Sequence, residues 1–198
     1  MIRADKLLLF DIDGTLVDTE GAGLVALEAG FFNAFPFCRE KAFPSLDLGG
    51  ATDSSVVAFL FDHFAIENHG GHRDLFFDEY LLALDCCMRE FRDRGKGRVL
   101  SGVPELLGRL EKCEDYLLGI LTGNVEAGAR LKLKHFDIDH YFGFGAFGNH
   151  QDPMFVYKEP TDDVSPIMNI EAPPRTYVTG DRMSTFMLYL SEVPRYGY

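Results

Sequence analysis

Short apolar runs that stop abruptly at polar residues are the feature that most constrains the fold of this chain. Residues 6–10 read KLLLF and are followed at once by DIDGT. Residues 116–121 read YLLGIL and are followed by TGN. A short, continuous apolar run bounded by turn residues is typical of a strand that is buried on both faces. We therefore predict strands over 6–11 and 116–121.

Two more strands and five helices follow from the same kind of pattern. YFGFGAFG (141–148) is interpreted as a third strand, and RTYVTGD (175–181) as a strand that delivers Asp181. Apolar residues at helical spacing predict helices over 19–35, 53–66, 73–93, 104–112 and 125–135. Strands that alternate with helices predict an α/β fold, a Rossmann-like parallel sheet covered by helices on both faces.

The stretch 17–97 lacks a clear strand, and its aromatic residues fall at helical spacings. We predict that it is an inserted α-helical cap, and that 1–16 and 98–198 form the core. The aromatic residues are expected to form the core of this cap rather than a substrate cage. His63, His69 and His72 are expected to lie in a solvated loop, because no ligand spacing accompanies them.

Composition limits the classes of partner. The 198-residue chain is 46% apolar and 25% charged, with a formal net charge of −12. Such an acidic protein is not expected to bind nucleic acid or anionic membranes as its main partner. No apolar run is long enough for a membrane span, and no secretory signal is recognised at the N-terminus. The four cysteines show no C-x-x-C spacing, which favours reduced thiols and a cytosolic protein.

The polar residues after the predicted strands indicate a site. In open α/β sheets the carboxyl ends of the strands gather into one crevice. Asp11 and Asp13 would project to the same side, where two like charges require a cation. Mg²⁺ prefers such oxygen ligands, and Gly14 and Thr15 could bind an anion beside it. The alternative is an ordinary polar turn that closes a strand.

Three of these segments together resemble the haloacid dehalogenase superfamily of phosphatases. Residues 11–16, DIDGTL, match its first motif, Thr122 matches its second and Gly180-Asp181 its fourth. TGNVEAGARLKLKHFDIDHYFGFGAFG and GGATD resemble the phosphoglycolate phosphatase-like branch, which carries a helical cap. In that family the GGATD stretch lies over the active site, so Gly49, Gly50, Thr52 and Asp53 could face the substrate. A helix N-cap is the alternative interpretation of Thr52 or Asp53, and the two are compatible.

The resemblance implies a two-step phosphoryl transfer to water. Asp11 would be the nucleophile that forms an aspartyl-phosphate, and Asp13 the general acid and then the base. Mg²⁺ would be held by Asp11, the backbone carbonyl of Asp13 and Asp181.

The resemblance also implies a phosphate-binding set. Thr122 and the N–H of Gly123 would bind phosphate oxygens, and Gly14, Thr15 and Asn124 would complete the set.

The lysine that stabilises the intermediate in this family has two candidates. Lys158, in YKEPTDD, is favoured because it precedes Gly180 by 22 residues, a spacing that suits a helix and a return to the sheet. Lys132, on the helix after Thr122, is the other candidate. A solvated surface lysine is the alternative interpretation of either.

The chain departs from the family pattern after Asp181. Thr185 stands where a second acid is usual, Arg182 replaces a usual threonine, and the sequence ends at Tyr198. Two functions are therefore considered. One is a Mg²⁺-dependent phosphatase acting on a small phosphorylated metabolite. The other is a catalytically weakened protein that binds a phosphorylated ligand or a protein partner. From the sequence alone, Asp13→Asn is expected to stabilise the fold slightly by relieving a like-charge pair.

Overall fold

A computed structural model describes residues 6–46, 48, 50–148 and the backbone of 187–191. In chain order the helices and strands are β1 (Lys6–Phe10), β2 (Val17–Asp18), α1 (Ala22–Ala34), α2 (Asp53–Phe64), α3 (Gly70–Asp93), β3 (Arg98–Val99), α4 (Val103–Leu110), β4 (Tyr116–Leu121), α5 (Glu126–His135), β5 (Phe144–Ala146) and β6 (Met187–Ser191). Short 3₁₀ turns occupy Pro36–Glu40 and Asp139–Tyr141.

The main sheet confirms the predicted parallel arrangement and adds one strand to it. Its order is β5-β4-β1-β6, and β1, β4 and β5 run parallel. Phe10 lies beside Ile120, so β1 and β4 end at the same edge. β6 pairs with β1 in the antiparallel direction, and no strand was predicted there from the sequence. The predicted strand at 175–181 lies outside the described residues.

The core of this sheet is built from the continuous apolar runs. Phe10, Ile12 and Ile120 are buried, and the apolar faces of α4 and α5 cover them through Leu107 and Leu133. A strand with no polar face can be buried only between layers. The sheet flanked by helices is therefore the arrangement that hides these runs from water.

Helices α1, α2 and α3 form a second hydrophobic cluster, which confirms the helical content predicted for the cap. Among the described residues of 20–95 there is no strand. Aromatic side chains dominate the cluster: Phe31, Phe61, Phe76 and Tyr80 are almost fully buried. The predicted aromatic core is thus confirmed for Phe61, Phe76 and Tyr80. It is wrong for Phe59, which is 48% exposed.

The chain crosses between the sheet and the three helices through a small antiparallel pair. β2 pairs with β3, and Arg98 bonds Asp18 at 2.8 Å across the pair. The domain boundaries, with 17–97 as cap, remain a prediction, and this pair lies next to both of them. The helix predicted from residue 19 begins only at Ala22, since Gly21 takes a left-handed φ of 92° that ends the preceding turn.

The helix predicted to begin at 73 begins at Gly70. The prediction that His63, His69 and His72 lie in a solvated loop is therefore wrong for two of them. His69 is the N-cap of α3, and its Nδ1 accepts a bond from the N–H of His72 at 3.3 Å. His63 lies in the last turn of α2, not in a loop. Of these three histidines only His69 lies outside a helix. Its ring nitrogen accepts an N–H at the start of α3, which holds the side chain in place.

The crossing of α1 and α3 generates a stability prediction. A Cβ placed on Gly30 would lie 2.6 Å from the Cα and 2.8 Å from the backbone nitrogen of Tyr80. Gly30→Ala should therefore lower the free energy of unfolding by about 1–2 kcal/mol, because backbone overpacking outweighs the gain in helix propensity. Chemical denaturation followed by circular dichroism measures the change.

Gly128→Ala is the matched control. Gly128 is also buried in a helix, but its Cβ would meet nothing closer than 3.5 Å. We expect this variant to be as stable as the wild type or up to about 1 kcal/mol more stable. Equal stabilities for the two variants would contradict the close crossing at Gly30.

Candidate active site

The loop after β1 winds around one backbone carbonyl. The oxygen of Ile12 accepts bonds from the N–H groups of Thr15, Leu16 and Val17, at 3.3, 2.9 and 3.0 Å. Gly14 permits the turn with a φ of 76°. Ile12 itself is fully buried. The loop is therefore anchored in the core, and Asp11 and Asp13 on either side of Ile12 are held at the edge of the sheet.

Asp11 carries a raised pKa. Burial is the largest cause, and the charge of Asp13 adds to it. The backbone N–H of Ile12, which bonds Asp11 Oδ1 at 2.8 Å, the Thr122 hydroxyl and the Lys132 ammonium act in the opposite direction. The carboxylate of Asp11 is thus under-compensated by the groups around it.

Lys132 lies in this site, paired with Asp13. Its Nζ donates to both carboxylate oxygens of Asp13, at 2.9 and 2.7 Å, and to Asn124 Oδ1 at 2.7 Å. The three donors of the ammonium are all used, and the Lys132 side chain is only 5% exposed. The interpretation of Lys132 as a solvated surface lysine is therefore wrong.

The loop after β4 completes the network. The N–H of Thr122 bonds the carbonyl of Ala146 at 3.1 Å, which fixes Thr122 against β5. Asn124 Nδ2 donates to Thr122 Oγ1 and to Asp13 Oδ2, both at 2.8 Å. Asn124 therefore bridges the loops that follow the two central parallel strands, a role that the sequence did not indicate.

These contacts set the charge state of Asp13. Burial would raise its pKa, but the Lys132 charge, the bonds from Lys132 and the amide of Asn124 outweigh burial and hold the pKa below its usual value. Asp13 is therefore an anion in this arrangement. Its side chain nevertheless remains 41% exposed, so a small molecule can reach it.

One buried hydroxyl in the site has no partner. Thr15 Oγ1 is one of two buried side-chain polar atoms in the described part of the chain that make no hydrogen bond. Native proteins rarely leave such an atom unsatisfied. Thr15 follows Gly14 in the anchored loop, so its hydroxyl is available to an oxygen of a bound anion.

The stretch 51–54, just before and within the first turn of α2, meets the loop after β4. The N–H of Asp53 donates to the carbonyl of Gly123 at 2.8 Å. Burial raises the pKa of Asp53, and the charge of Asp13 adds to this shift. Tyr80 lies in the same region, and its pKa is raised well above the usual value by burial, Asp53 and Asp13. Nothing in the sequence indicated Tyr80 as a neighbour of the site, since its helical spacing is that of a core residue.

The structure thus brings together most of the predicted site residues. Contacts link Asp11, Asp13, Thr122 and Asn124, and Gly14, Thr15 and Gly123 lie in the two loops that carry them. Lys158 and Asp181, with the neighbouring Arg182 and Thr185, lie outside the described residues. Lys158 and the metal ligand Asp181 therefore remain predictions.

Within the described residues no group of three or more His, Cys, Asp and Glu side chains could hold a metal ion. The predicted magnesium set needs Asp181, which is not among them. No helix in the described part of the chain has both the length and the apolar composition to cross a membrane.

Comparison with known proteins identifies a family for the part of the chain that carries this site. The family model described as "Haloacid dehalogenase-like hydrolase" matches residues 8–152, well over half of the chain. The matched range contains every described site residue from Asp11 to Lys132. No curated protein matches the chain.

The chain is similar to solved structures at low identity, and the two with TM-scores of 0.50 or more share its fold. CbbY from Rhodobacter sphaeroides in complex with phosphate is 17% identical, with a TM-score of 0.52 over 76% of this chain and 65% of that chain. A hydrolase from Pseudomonas syringae is 18% identical, with a TM-score of 0.50 over 73% and 61%. A predicted phosphoglycolate phosphatase from Haemophilus somnus 129pt is 19% identical, with a TM-score of 0.45 over 75% and 64%. The chain therefore spans less than two thirds of the length of these relatives.

The pairing of Asp13 with Lys132 reverses the expectation for Asp13→Asn. The substitution leaves a buried ammonium without its counter-charge, so we expect a loss of about 1–3 kcal/mol in the free energy of unfolding, less than for a fully buried pair because Asp13 is partly exposed. Chemical denaturation of Asp13→Asn measures this loss.

Two further variants give the comparison its control. In a Lys132→Met background Asp13→Asn should cost much less, because no buried charge is left unpaired. Asp18→Asn, which removes an exposed partner of Arg98, should cost at most about 1 kcal/mol. Additive effects of Asp13→Asn and Lys132→Met would contradict the pairing.

Proposed function

The chain belongs to the haloacid dehalogenase-like hydrolase family, and on that premise we propose that it is a Mg²⁺-dependent phosphatase that acts on a small phosphorylated metabolite. The family match supports the hydrolase class. Because the chain spans less than two thirds of its structural relatives, the activity, the substrate and the metal are all proposals. A phosphoglycolate-like phosphomonoester is proposed as substrate, on the likeness of GGATD and TGNVEAGARLKLKHF to that branch.

The observation that carries the proposal is that the neighbouring carboxylates of Asp11 and Asp13 lie in different environments. Asp13 is bound by Lys132 and Asn124 through both of its oxygens. In the described part of the chain no cation bonds Asp11 directly, and its pKa is raised, chiefly by burial. Two neighbouring carboxylates in different environments are typical of a site that assigns them different roles. We assign Asp11 as the nucleophile and Asp13 as the proton-transfer group.

A phosphate would be held by the two loops. Thr15 offers its unpartnered hydroxyl. We propose the N–H of Gly123 as a second donor, since the N–H groups of residues 14–17 already donate to carbonyls of their own loop. Gly14, Gly123 and Asn124 belong to those loops. Lys132 supplies a positive charge beside Asp13, and we therefore propose it for the role of the family's stabilising lysine, with Lys158 as the alternative.

We propose a divalent cation at Asp11. Both oxygens of Asp13 are bonded by Lys132, and Oδ2 of Asp53 accepts the N–H of Val125, whereas the pKa of Asp11 is raised, chiefly by burial. Carboxylate oxygens are the ligands that Mg²⁺ prefers, and Asp11 and the backbone carbonyl of Asp13, with Asp181, would hold it. Bound there, Mg²⁺ would neutralise the charge of the phosphate as the nucleophile approaches.

The lowered pKa of Asp13 also favours a second candidate function. A general acid must hold a proton when the leaving group departs, whereas Lys132 and Asn124 keep the pKa of Asp13 low. A catalytically weakened protein that binds a phosphorylated ligand would need no such proton. Hydrolysis of an aryl phosphate, measured with and without Mg²⁺, separates the two functions.

We also propose that the protein is cytosolic. Cys38, Cys86, Cys87 and Cys113 are all free thiols, as expected for a protein in a reducing compartment.

Substitution of the two aspartates tests the assignment of roles. Asp11→Asn should abolish hydrolysis of an aryl phosphate, because an amide is a far weaker nucleophile of nearly the same size. Asp13→Asn should lower kcat by about 10²–10⁴-fold, the usual contribution of proton transfer, and leave orthophosphate binding detectable. Steady-state kinetics and calorimetry measure both effects. Asp18→Asn serves as the control, and an Asp11→Asn variant as active as the wild type would refute the nucleophile.

Removal of the metal is the second test. Prolonged treatment with EDTA should reduce hydrolysis to background, and added Mg²⁺ should restore it, since two carboxylates and a phosphate repel one another without a cation. The same titration followed by thermal melting should show stabilisation by Mg²⁺ in the wild type and little in Asp11→Asn. Full activity in the presence of EDTA would contradict the metal.

A further inference from the structure

Asp53, the first residue of α2, bonds the loop after β4 at two points. Its N–H donates to the carbonyl of Gly123 at 2.8 Å, and its Oδ2 accepts the N–H of Val125 at 2.8 Å. These two bonds enclose Asn124, the residue that bridges Asp13 and Thr122. The side chain of Asp53 therefore acts on the backbone that carries the phosphate-binding candidates.

No side chain separates the two segments at this contact. A Cβ on Gly123 would lie 2.4 Å from the carbonyl oxygen of Ala51, and one on Gly148 would lie 2.0 Å from that of Gly123. Ser54 Oγ donates to the carbonyl of Gly148 at 2.6 Å, and the N–H of Gly148 donates to that of Asn124 at 2.8 Å. Backbone thus packs directly on backbone on both sides of Gly123.

The charge of Asp53 has a partner besides Lys132. Val125 immediately precedes α5, so its N–H belongs to the unpaired donors at the start of that helix. A carboxylate placed there is stabilised by those donors and by the helix dipole. The bond is charge-assisted, and such bonds are stronger than neutral ones.

We propose that Asp53 is a positioning residue, which fixes the loop 122–125 in its anion-binding conformation and makes that conformation depend on contact with α2. The inference rests on the proposed function, since it concerns the affinity of the loop for phosphate. Asp53 acts through the backbone of Gly123 and Val125 and takes no part in proton transfer. Substrate binding and the position of α2 are then linked through one carboxylate.

The test compares Asp53→Ala with Asp53→Asn in the full chain. Alanine removes the acceptor of the Val125 N–H, so the affinity for orthophosphate, measured by calorimetry with Mg²⁺ present, should fall about tenfold, as expected for the loss of one hydrogen bond to a charged group. Asparagine keeps an acceptor oxygen at the same position and should stay within about threefold of the wild type. KM for an aryl phosphate should rise in parallel, with a smaller change in kcat.

Ser55→Ala is the matched control for the stability of α2. Ser55 forms the capping box of α2 with Thr52 and has no bond to the loop 122–125. This variant should lower the melting temperature and leave the phosphate affinity unchanged. If Ser55→Ala weakened phosphate binding as much as Asp53→Ala, the effect would be one of helix stability and the inference would be wrong.

Hydrogen exchange at the Val125 amide separates failure of this inference from failure of the proposed function. The amide should exchange faster in Asp53→Ala than in the wild type, without any ligand. A wild type that neither binds orthophosphate nor hydrolyses phosphomonoesters would overturn the proposed function, and equal exchange rates at Val125 would overturn the role of Asp53. Tighter phosphate binding by Asp53→Ala would also overturn it, because the carboxylate would then be a competitor of the anion.

Discussion

The ammonium of Lys132 is the interaction on which the site depends. It is buried, and it bonds both oxygens of Asp13 and the amide oxygen of Asn124. A buried charge is tolerated only when its partners are in place. The loop after β1, the loop after β4 and helix α5 must therefore all be formed before Lys132 can be buried, so the site and the core fold as one unit.

The burial of Lys132, one of the two candidates for the stabilising lysine, could have been inferred from the sequence. Val125, Gly128, Ala129 and Leu133 form the buried stripe of α5, and Lys132 falls on the same stripe by helical spacing. Lys134 has the same chemistry but lies on the exposed face. A lysine on an apolar stripe needs a buried anion, and Asp13 was the available candidate. Lys158 was nevertheless favoured over Lys132 for the stabilising lysine, on its spacing from Gly180.

Local patterns predicted the strands and helices well and the long-range pairings poorly. The apolar runs at β1 and β4 and the aromatic helices α2 and α3 follow from burial and periodicity, which are properties of a short window. The antiparallel pairing of β6 with β1 joins residues about 180 positions apart, and no local signal specifies such a partner. The contact of Asp53 with Val125 has the same character: the sequence indicated a helix start at Asp53 but not what its carboxylate would reach.

The glycine contacts around residue 123 have a consequence for how such a protein can diversify. At a joint where side chains interdigitate, a substitution on one side can be offset by a smaller residue on the other. Around Gly123 and Gly148 the nearest atoms are backbone carbonyls, those of Ala51 and Gly123, and main chain cannot be exchanged for something smaller. Evolutionary change in specificity is thereby confined to side chains that surround this backbone contact, while Gly123 and Gly148 themselves must remain glycine.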